Sequence, residues 1–135
     1  MQYWLIKSEP NTYSWDDFVE LGRDHWDGVR NYAARMHMMN MKVDDLALFY
    51  HSVNEKCVVG VAKIVKEHYP DPTTDDERWV VVDLVPEFKL DDVVTLEQIK
   101  NDGRLSEMVL VNNSRLSVQP VKKEEFDIVL ALGQK

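Results

Sequence analysis

The sequence predicts an α+β domain: a mixed or antiparallel sheet of about five to six strands, curled toward a β-barrel, with short α-helices packed at its sides. Three observations lead there. Several short runs are almost continuously apolar, as strands buried on both faces are. The segments between them carry helix-start signals but are too short for long crossover helices. The 135 residues suit one domain, 1–135, able to bury its own core without disulfides or metals.

The elements follow in order. Gln2 to Lys7 is aromatic and aliphatic and forms a first strand, broken by Pro10 and Asn11. Ser14 ahead of Trp15-Asp16-Asp17-Phe18 gives the Ser-x-x-Asp pattern of a helix start, and that helix ends by Gly22. Asn31 to Met39 has two alanines and few β-branched residues and forms a second helix. Asp44-Asp45 turns the chain into a strand at Leu46-Ala47-Leu48-Phe49-Tyr50-His51. Ser52 to Lys56 is a loop, Val58 to Tyr69 a long strand and Trp79 to Val85 another. Pro70-Asp71-Pro72-Thr73 is a rigid turn between these two. Thr95-Leu96-Glu97-Gln98 is a capping box opening a short helix. Arg115 to Val118 forms a last short strand, and Lys122 to Leu132 a last helix stopped at Gly133.

Composition narrows the function. Cys57 is the single cysteine, set in the apolar run Cys57-Val58-Val59-Gly60-Val61, so it reads as a buried hydrophobe and not a nucleophile. The first residues are too short an apolar run for a signal peptide, and no stretch has the length of a membrane span. A cytoplasmic monomer with no membrane partner is the expectation. The net charge of −8 excludes a protein that grips long nucleic acid through its phosphates alone. The charge is uneven: residues 1–42 hold 5 Lys/Arg against 6 Asp/Glu, residues 43–135 hold 11 against 18. The near-neutral N-terminal third also carries three of the four tryptophans, so an anionic, aromatic ligand is expected there.

Four clusters can carry chemistry. Lys7-Ser8-Glu9-Pro10 puts a cation, a hydroxyl and a carboxylate at the exit of the first strand, either as a solvated turn or as a pocket rim. Trp26-Asp27-Gly28-Val29-Arg30-Asn31-Tyr32-Ala33-Ala34-Arg35 offers an aromatic face and an amide, which a splayed-out base needs for stacking and for hydrogen bonds to its edge. The plainer alternatives are that Trp26 is core and that Asn31 only caps its helix. In Phe49-Tyr50-His51-Ser52, alternation sends Phe49 and His51 to one side and Tyr50 and Ser52 to the other. His51 is a general base or, more commonly for such a residue, a satisfied structural histidine. Ser114-Arg115-Leu116-Ser117-Val118-Gln119-Pro120 decorates the surface or closes the far side of the same pocket. The four histidines lack metal-ligand spacing, and no phosphate-cradling Gly-rich loop or Gly-x-Ser-x-Gly elbow is present, so neither metal nor cofactor is expected.

Six segments in this order resemble EVE-domain proteins, a branch of the PUA-like superfamily: Tyr3 to Pro10, Tyr13 to Asp17, Trp26 to Tyr32, Leu48 to Ser52, Tyr69 to Thr73 and Arg115 to Pro120. The resemblance spans nearly the whole chain. It implies a PUA-like β-barrel with short flanking helices and kinship to YTH domains, which hold a methylated adenine in an aromatic cage. It also implies a reader of a modified cytosine or related base in DNA or RNA. The chain departs from the family at Met36-His37-Met38-Met39-Asn40-Met41, where polar residues are more usual; here a Met-rich helix face fills core gaps.

Three functions compete. The first is a binding module for nucleic acid carrying a modified cytosine or adenine. Trp26 stacks on the base, Tyr32 or Phe49 forms the second wall, Asn31 and Ser8 read the edge, and Lys7, Arg35 and Arg115 meet phosphate or sugar. Tyr50, His51, Ser52 and Ser117 complete the pocket. The second is a small ASCH-like amidohydrolase acting on an acylated nucleoside, with Lys7 and Glu9 helped by His51 or Tyr50. The third is a protein-interaction module whose acidic C-terminal portion meets a basic partner.

Overall fold

The structure, a computed structural model, describes residues 1–53, 55–113 and 115–134. In chain order it contains β1 (Tyr3–Ser8), α1 (Trp15–Leu21), β2 (Asp24–His25), α2 (Tyr32–Asn40), β3 (Leu46–His51), β4 (Cys57–Pro70) and β5 (Val80–Thr95). Then come α3 (Leu96–Asn101), a 3-10 turn at Gly103–Leu105, α4 (Val109–Asn112), β6 (Val118–Val121) and α5 (Lys123–Leu132).

Local chemistry sets the helix ends. Ser14 accepts from the Asp17 N–H at 3.1 Å while the Asp17 carboxylate accepts from the Ser14 N–H at 2.9 Å, a complete capping box. Thr95 and Gln98 repeat the arrangement at α3, at 3.1 and 2.8 Å. Asn31 caps α2 by accepting from the Ala34 N–H at 3.0 Å.

The strands form one six-stranded mixed sheet in the order β2-β5-β4-β3-β1-β6. Only β1 and β3 run parallel, with Lys7 opposite Tyr50 and Ser8 opposite His51; the other pairs are antiparallel. Both faces are buried. Trp4, Ile6, Ala47, Phe49, Ala62 and Ile64 meet α1 and α2, whose Trp15, Phe18, Ala34 and Met38 belong to the same cluster. Leu5, Leu48, Val58, Val61 and Val94 meet the other helices through Ile99, Met108, Leu110 and Phe126. This is why the strands read as continuously apolar. The Met-rich stretch of α2 divides: Met38 and Met41 are core, Met36 and Met39 exposed.

The structure corrects several expectations. The sheet is not closed. β2 and β6 are its edges, and α2 packs against both β5 and β6, filling the gap where a strand pair would have closed the barrel. The last strand is Val118–Val121, not Arg115 to Val118; it tolerates Pro120 because an edge strand can spare one N–H. β5 runs on to Thr95 instead of ending at Val85. Its polar second half stays paired with β4 across register shifts, such as that between Val58 and Gly60. No helix among the described residues is long and apolar enough to cross a membrane.

Gly60 lies at that bulge because Trp15 occupies the space beside it: a Cβ there would stand 2.7 Å from the indole ring. The ring is itself wedged edge-on against Phe49 at 5.3 Å and Phe18 at 5.7 Å, so it has nowhere to move. We expect Gly60→Ala to cost about 1–3 kcal/mol by overpacking. Thermal denaturation should show a fall of roughly 4–12 °C in Tm. An unchanged Tm would mean that α1 can slide off the sheet at no cost.

Candidate functional site

Because β1 and β3 are parallel, their C-terminal ends lie side by side, and the chain leaving β1 must turn away there before it returns as β3. A cleft of about 400 Å³ opens there. One wall is Lys7, Ser8 and Glu9, with Thr12 and Tyr13 from the following loop. The other is β2 and its continuation, Asp24 to Asp27, including the surface that Trp26 leaves uncovered.

Trp26 is fixed on three sides. Its N–H donates to the Val82 carbonyl at 2.9 Å, tying it to β5. Its ring stands edge-on to Phe49 at 5.6 Å and to Tyr13 at 6.0 Å. It is only 9% exposed, so it is both core and cleft wall. Beyond it Gly28, at φ 75°, turns the chain sharply away.

The buried Asp71 carboxylate holds this turn. It accepts from the Gly28 N–H at 3.3 Å, the Arg30 guanidinium at 3.1 Å and the Thr73 N–H at 2.7 Å. Burial works against the charge, but the hydrogen bonds from Thr73, Arg30 and Gly28 outweigh it and hold its pKa down to about 2. The rigid turn read at Pro70 to Thr73 thus acts as a clamp behind Trp26.

The cleft is rich in acceptors. Glu9, Asp24 and Asp27 line it together with Lys7. His25 sits between two of the carboxylates, with Nε2 at 3.3 Å from Asp27 and Nδ1 at 3.9 Å from Asp24. Burial and the neighbouring Asp24 push the Tyr13 phenol above its ordinary value, although its hydroxyl makes no well-aligned hydrogen bond. The Ser8 hydroxyl donates to the Tyr13 carbonyl and keeps its lone pairs for accepting. Burial and the Lys56 ammonium draw the Lys7 amine below the usual lysine range. No group of three His, Cys, Asp or Glu side chains among the described residues could hold a metal ion.

The expected site residues are placed as follows. Lys7, Ser8 and Trp26 come together at the cleft. Asn31, Tyr32 and Arg35 do not reach it. Past the Gly28 turn they lie on another surface, where Tyr32 packs on Trp79 at 5.2 Å, accepts from Arg78 at 3.1 Å and has Arg35 above its ring at 5.5 Å. Phe49 is fully buried behind Trp26 and is not a cleft wall. His51 accepts from the Trp15 N–H through Nε2 at 3.1 Å, and burial lowers its pKa, so the neutral ring pins α1 to β3. Tyr50 and Ser52 lie on the opposite side of the sheet, lining a smaller cleft of about 110 Å³ to which Lys7 also contributes. Arg115 is exposed, and Ser117 meets β1 through its carbonyl, which accepts from the Lys7 N–H at 3.0 Å. Ser114 lies outside the described residues. Cys57 is buried as expected, and burial raises its thiol pKa.

Thr12, Tyr13, Asp24 and His25 are the cleft residues that sequence reasoning did not gather, and Asp27 was quoted only within the Trp26 cluster. β2 is only two residues long, so it has no periodicity to read; its antiparallel pairing with Asp83 and Leu84 brings it to the cleft.

This open mixed sheet, with helices on both faces and a tryptophan-walled cleft at the parallel strand ends, belongs to a known class. The chain matches the EVE domain over residues 2–132 and is a member of that family. It is 37% identical to mouse (Mus musculus) thymocyte nuclear protein 1, over 98% of this chain and 74% of that protein. It is similar to the NMR structure of Rpa0253 from Rhodopseudomonas palustris, with 45% identity, a TM-score of 0.94, and 98% and 93% of the two chains covered. It is also similar to human THYN1, solved in complex with 5-methylcytosine-containing DNA, with 34% identity, a TM-score of 0.93, and 100% and 99% covered. An ASCH structure from Zymomonas mobilis, 11% identical with a TM-score of 0.58, shares the fold alone.

The Asp71 clamp has a pH signature. Its folded pKa of about 2 lies below the ordinary 3.8, so its contribution is complete above about pH 4 and is lost as pH falls toward 2. Asp71→Asn should cost about 1.5–3 kcal/mol at neutral pH, the worth of hydrogen bonds to a charged group. It should also flatten the stability profile across that acid window, as read by urea titrations at stepped pH. Parallel profiles for wild type and variant would show that Asp71 carries no such load.

Proposed function

We propose that the chain binds DNA by seating one modified cytosine, 5-methylcytosine, in the cleft walled by Trp26. The observation that carries this is the cleft's make-up: an aromatic wall with carboxylate acceptors and a lysine donor around it. Cytosine presents an amino donor at N4, which Asp or Glu accepts, and acceptor atoms at N3 and O2, which an ammonium can meet. Trp26 and Tyr13 supply apolar ring surface for the base and its 5-methyl group. Tyr13 takes the place expected of Tyr32 or Phe49 as the second ring. Support comes also from human THYN1, whose structure was solved with 5-methylcytosine-containing DNA. A base inside a duplex must leave its stack to enter such a cleft, and modified single strands present it at lower cost.

A second reading has one observation in its favour: Lys7 and Glu9 share the cleft, as a lysine–carboxylate hydrolase of acylated nucleosides would require. Turnover of such a nucleoside, abolished in Lys7→Ala, would move the protein to that class.

The test is a titration with oligonucleotides carrying 5-methylcytosine, cytosine or thymine at one position, in DNA and in RNA. Thymine offers a carbonyl where cytosine offers N4–H, so it should bind weaker by about 1–3 kcal/mol, or roughly 5- to 150-fold. Trp26→Ala should remove a stacking contribution of similar size, roughly 1–3 kcal/mol. Because Trp26 is also core, Trp26→Phe is measured beside it, and it should keep the fold while losing part of the affinity. Equal binding of thymine and 5-methylcytosine would end the base-reading proposal.

A further inference from the structure

The two walls of the Trp26 cleft differ in charge. Lys7 and Glu9 stand on the β1 wall, and the β2 wall carries Asp24 and Asp27 on either side of His25. Both carboxylates of the β2 wall are held by that histidine. Asp24 accepts from the His25 N–H at 2.8 Å, and Asp27 lies 3.3 Å from the His25 imidazole. Among the described residues, Glu9, Asp24 and Asp27 line the cleft against the single ammonium of Lys7.

Tyr13 shows what this does to an anion in the cleft. Burial is the first obstacle to ionising its phenol, and the carboxylates of Asp24, Asp17 and Asp27 add to it. The β2 wall therefore opposes a further negative charge beside it. On a cytosine ring, the N4 amino group and C5 are neighbours on one edge, the edge that a duplex turns to its major groove. An acceptor about 2.9 Å from N4 stands within roughly 5 Å of whatever C5 carries. N3 and O2, which Lys7 meets in the proposed pose, lie on the other side of N4 from C5. The group at C5 thus faces carboxylates and not the ammonium.

We infer that the cleft sorts cytosines by the charge of the group at C5, admitting an uncharged or cationic substituent and rejecting an anionic one through the carboxylates of Asp24 and Asp27. The inference rests on the base-reading function and adds to it the class of modified base. A carboxyl group at C5 is ionised at neutral pH and meets like charge, whereas an aminomethyl group is protonated and meets opposite charge. Like charges about 4 Å apart weaken binding roughly 5-fold even at the dielectric constant of water. A cleft that keeps part of the water out makes the penalty larger.

The experiment measures the affinity of the full chain for short single strands that carry one cytosine with methyl, aminomethyl or carboxyl at C5, or thymine in its place. A further strand carries 5-methylcytosine and a terminal phosphate, which puts the added negative charge outside the cleft. The carboxyl strand should bind at least about 5-fold weaker than the methyl strand. The aminomethyl strand should bind at least as tightly as the methyl strand, and the terminal phosphate should change little. Asp24→Asn/Asp27→Asn keeps the side-chain shape and an acceptor oxygen at each position. It should bring the carboxyl and methyl strands together and remove any advantage of the aminomethyl strand. Asp127→Asn, on α5 and outside the cleft lining, should keep the wild-type ranking. If the double variant melts early, Asp27→Asn alone, at an exposed side chain, carries the test and should narrow the same gap. A wild type that binds the carboxyl strand as tightly as the methyl strand overturns the charge filter. So does an equal loss with the terminal phosphate, or a wild-type ranking kept by the aspartate variants. In each of these cases a preference for 5-methylcytosine over thymine leaves base reading standing. Equal binding of 5-methylcytosine and thymine overturns base reading, and the filter with it.

Discussion

The structure turns on Phe49. It is fully buried at the centre of β3, and Trp15, Phe18, Trp26 and His51 all make ring contact with it. Through Trp15 and Phe18 it fixes α1, through His51 the end of β3, and through Trp26 the wall of the cleft. Aromatic pairs of this kind contribute about 0.5–1.5 kcal/mol each beyond their burial, and here they share one ring. The same packing that stabilises the sheet therefore sets the orientation of Trp26, the aromatic residue facing the cleft. A wall fixed in this way has little freedom left to lose on binding, which is where preorganised sites gain affinity.

A sheet buried on both faces constrains everything else. Along β1, β3 and the first half of β4 no strand offers a polar face to solvent, so the polar side chains there stand where strands end; the far halves of β4 and β5 are exposed instead. Lys7 and Ser8 are the last residues of β1, and His51 the last of β3. The parallel pairing of β1 and β3 brings these ends together, and that pairing is possible because α1, β2 and α2 form the crossover between them. The cleft is thus built from the start and the middle of one crossover: the exit of β1, and β2 halfway along.

What the sequence revealed follows from the same physics. The apolar run of β3 and the capping residues Ser14, Thr95 and Asn31 act locally, so their signals are complete in a few residues, and those elements stand where they were read. The polar second half of β5 and the proline of β6 are held by partners distant in sequence, so nothing local marks them as strand. Lys7, Ser8 and Trp26 were legible as residues of one cleft because each combines a functional group with a break in regular structure. Asn31, Tyr32 and Arg35 follow Trp26 closely in sequence, and the turn at Gly28 sends them to another surface. Closeness along the chain carries over to a shared site only if no such turn intervenes. Asp24 is the reverse case, brought to the cleft by the pairing of β2 with β5, and Tyr13 stands there because the loop after β1 folds back, its N–H donating to the Glu9 carbonyl at 2.7 Å.

The charge of the molecule bears on how it can hold DNA. A net charge of −8 repels DNA at long range, so steering of the kind basic proteins use is closed to it. What remains are short-range contributions. One stacked base is worth roughly 1–3 kcal/mol, and each phosphate met by an ammonium adds a term that salt erodes. On the proposed function, affinity for unmodified strands is then low at physiological salt, since little counterion release opposes the repulsion. Under that function a base seated in the cleft contributes a large share of a small total. An acidic surface therefore sharpens discrimination: it suppresses the sequence-independent binding that would otherwise hold the protein on unmodified DNA, and leaves the contacts of one base to decide where it stays.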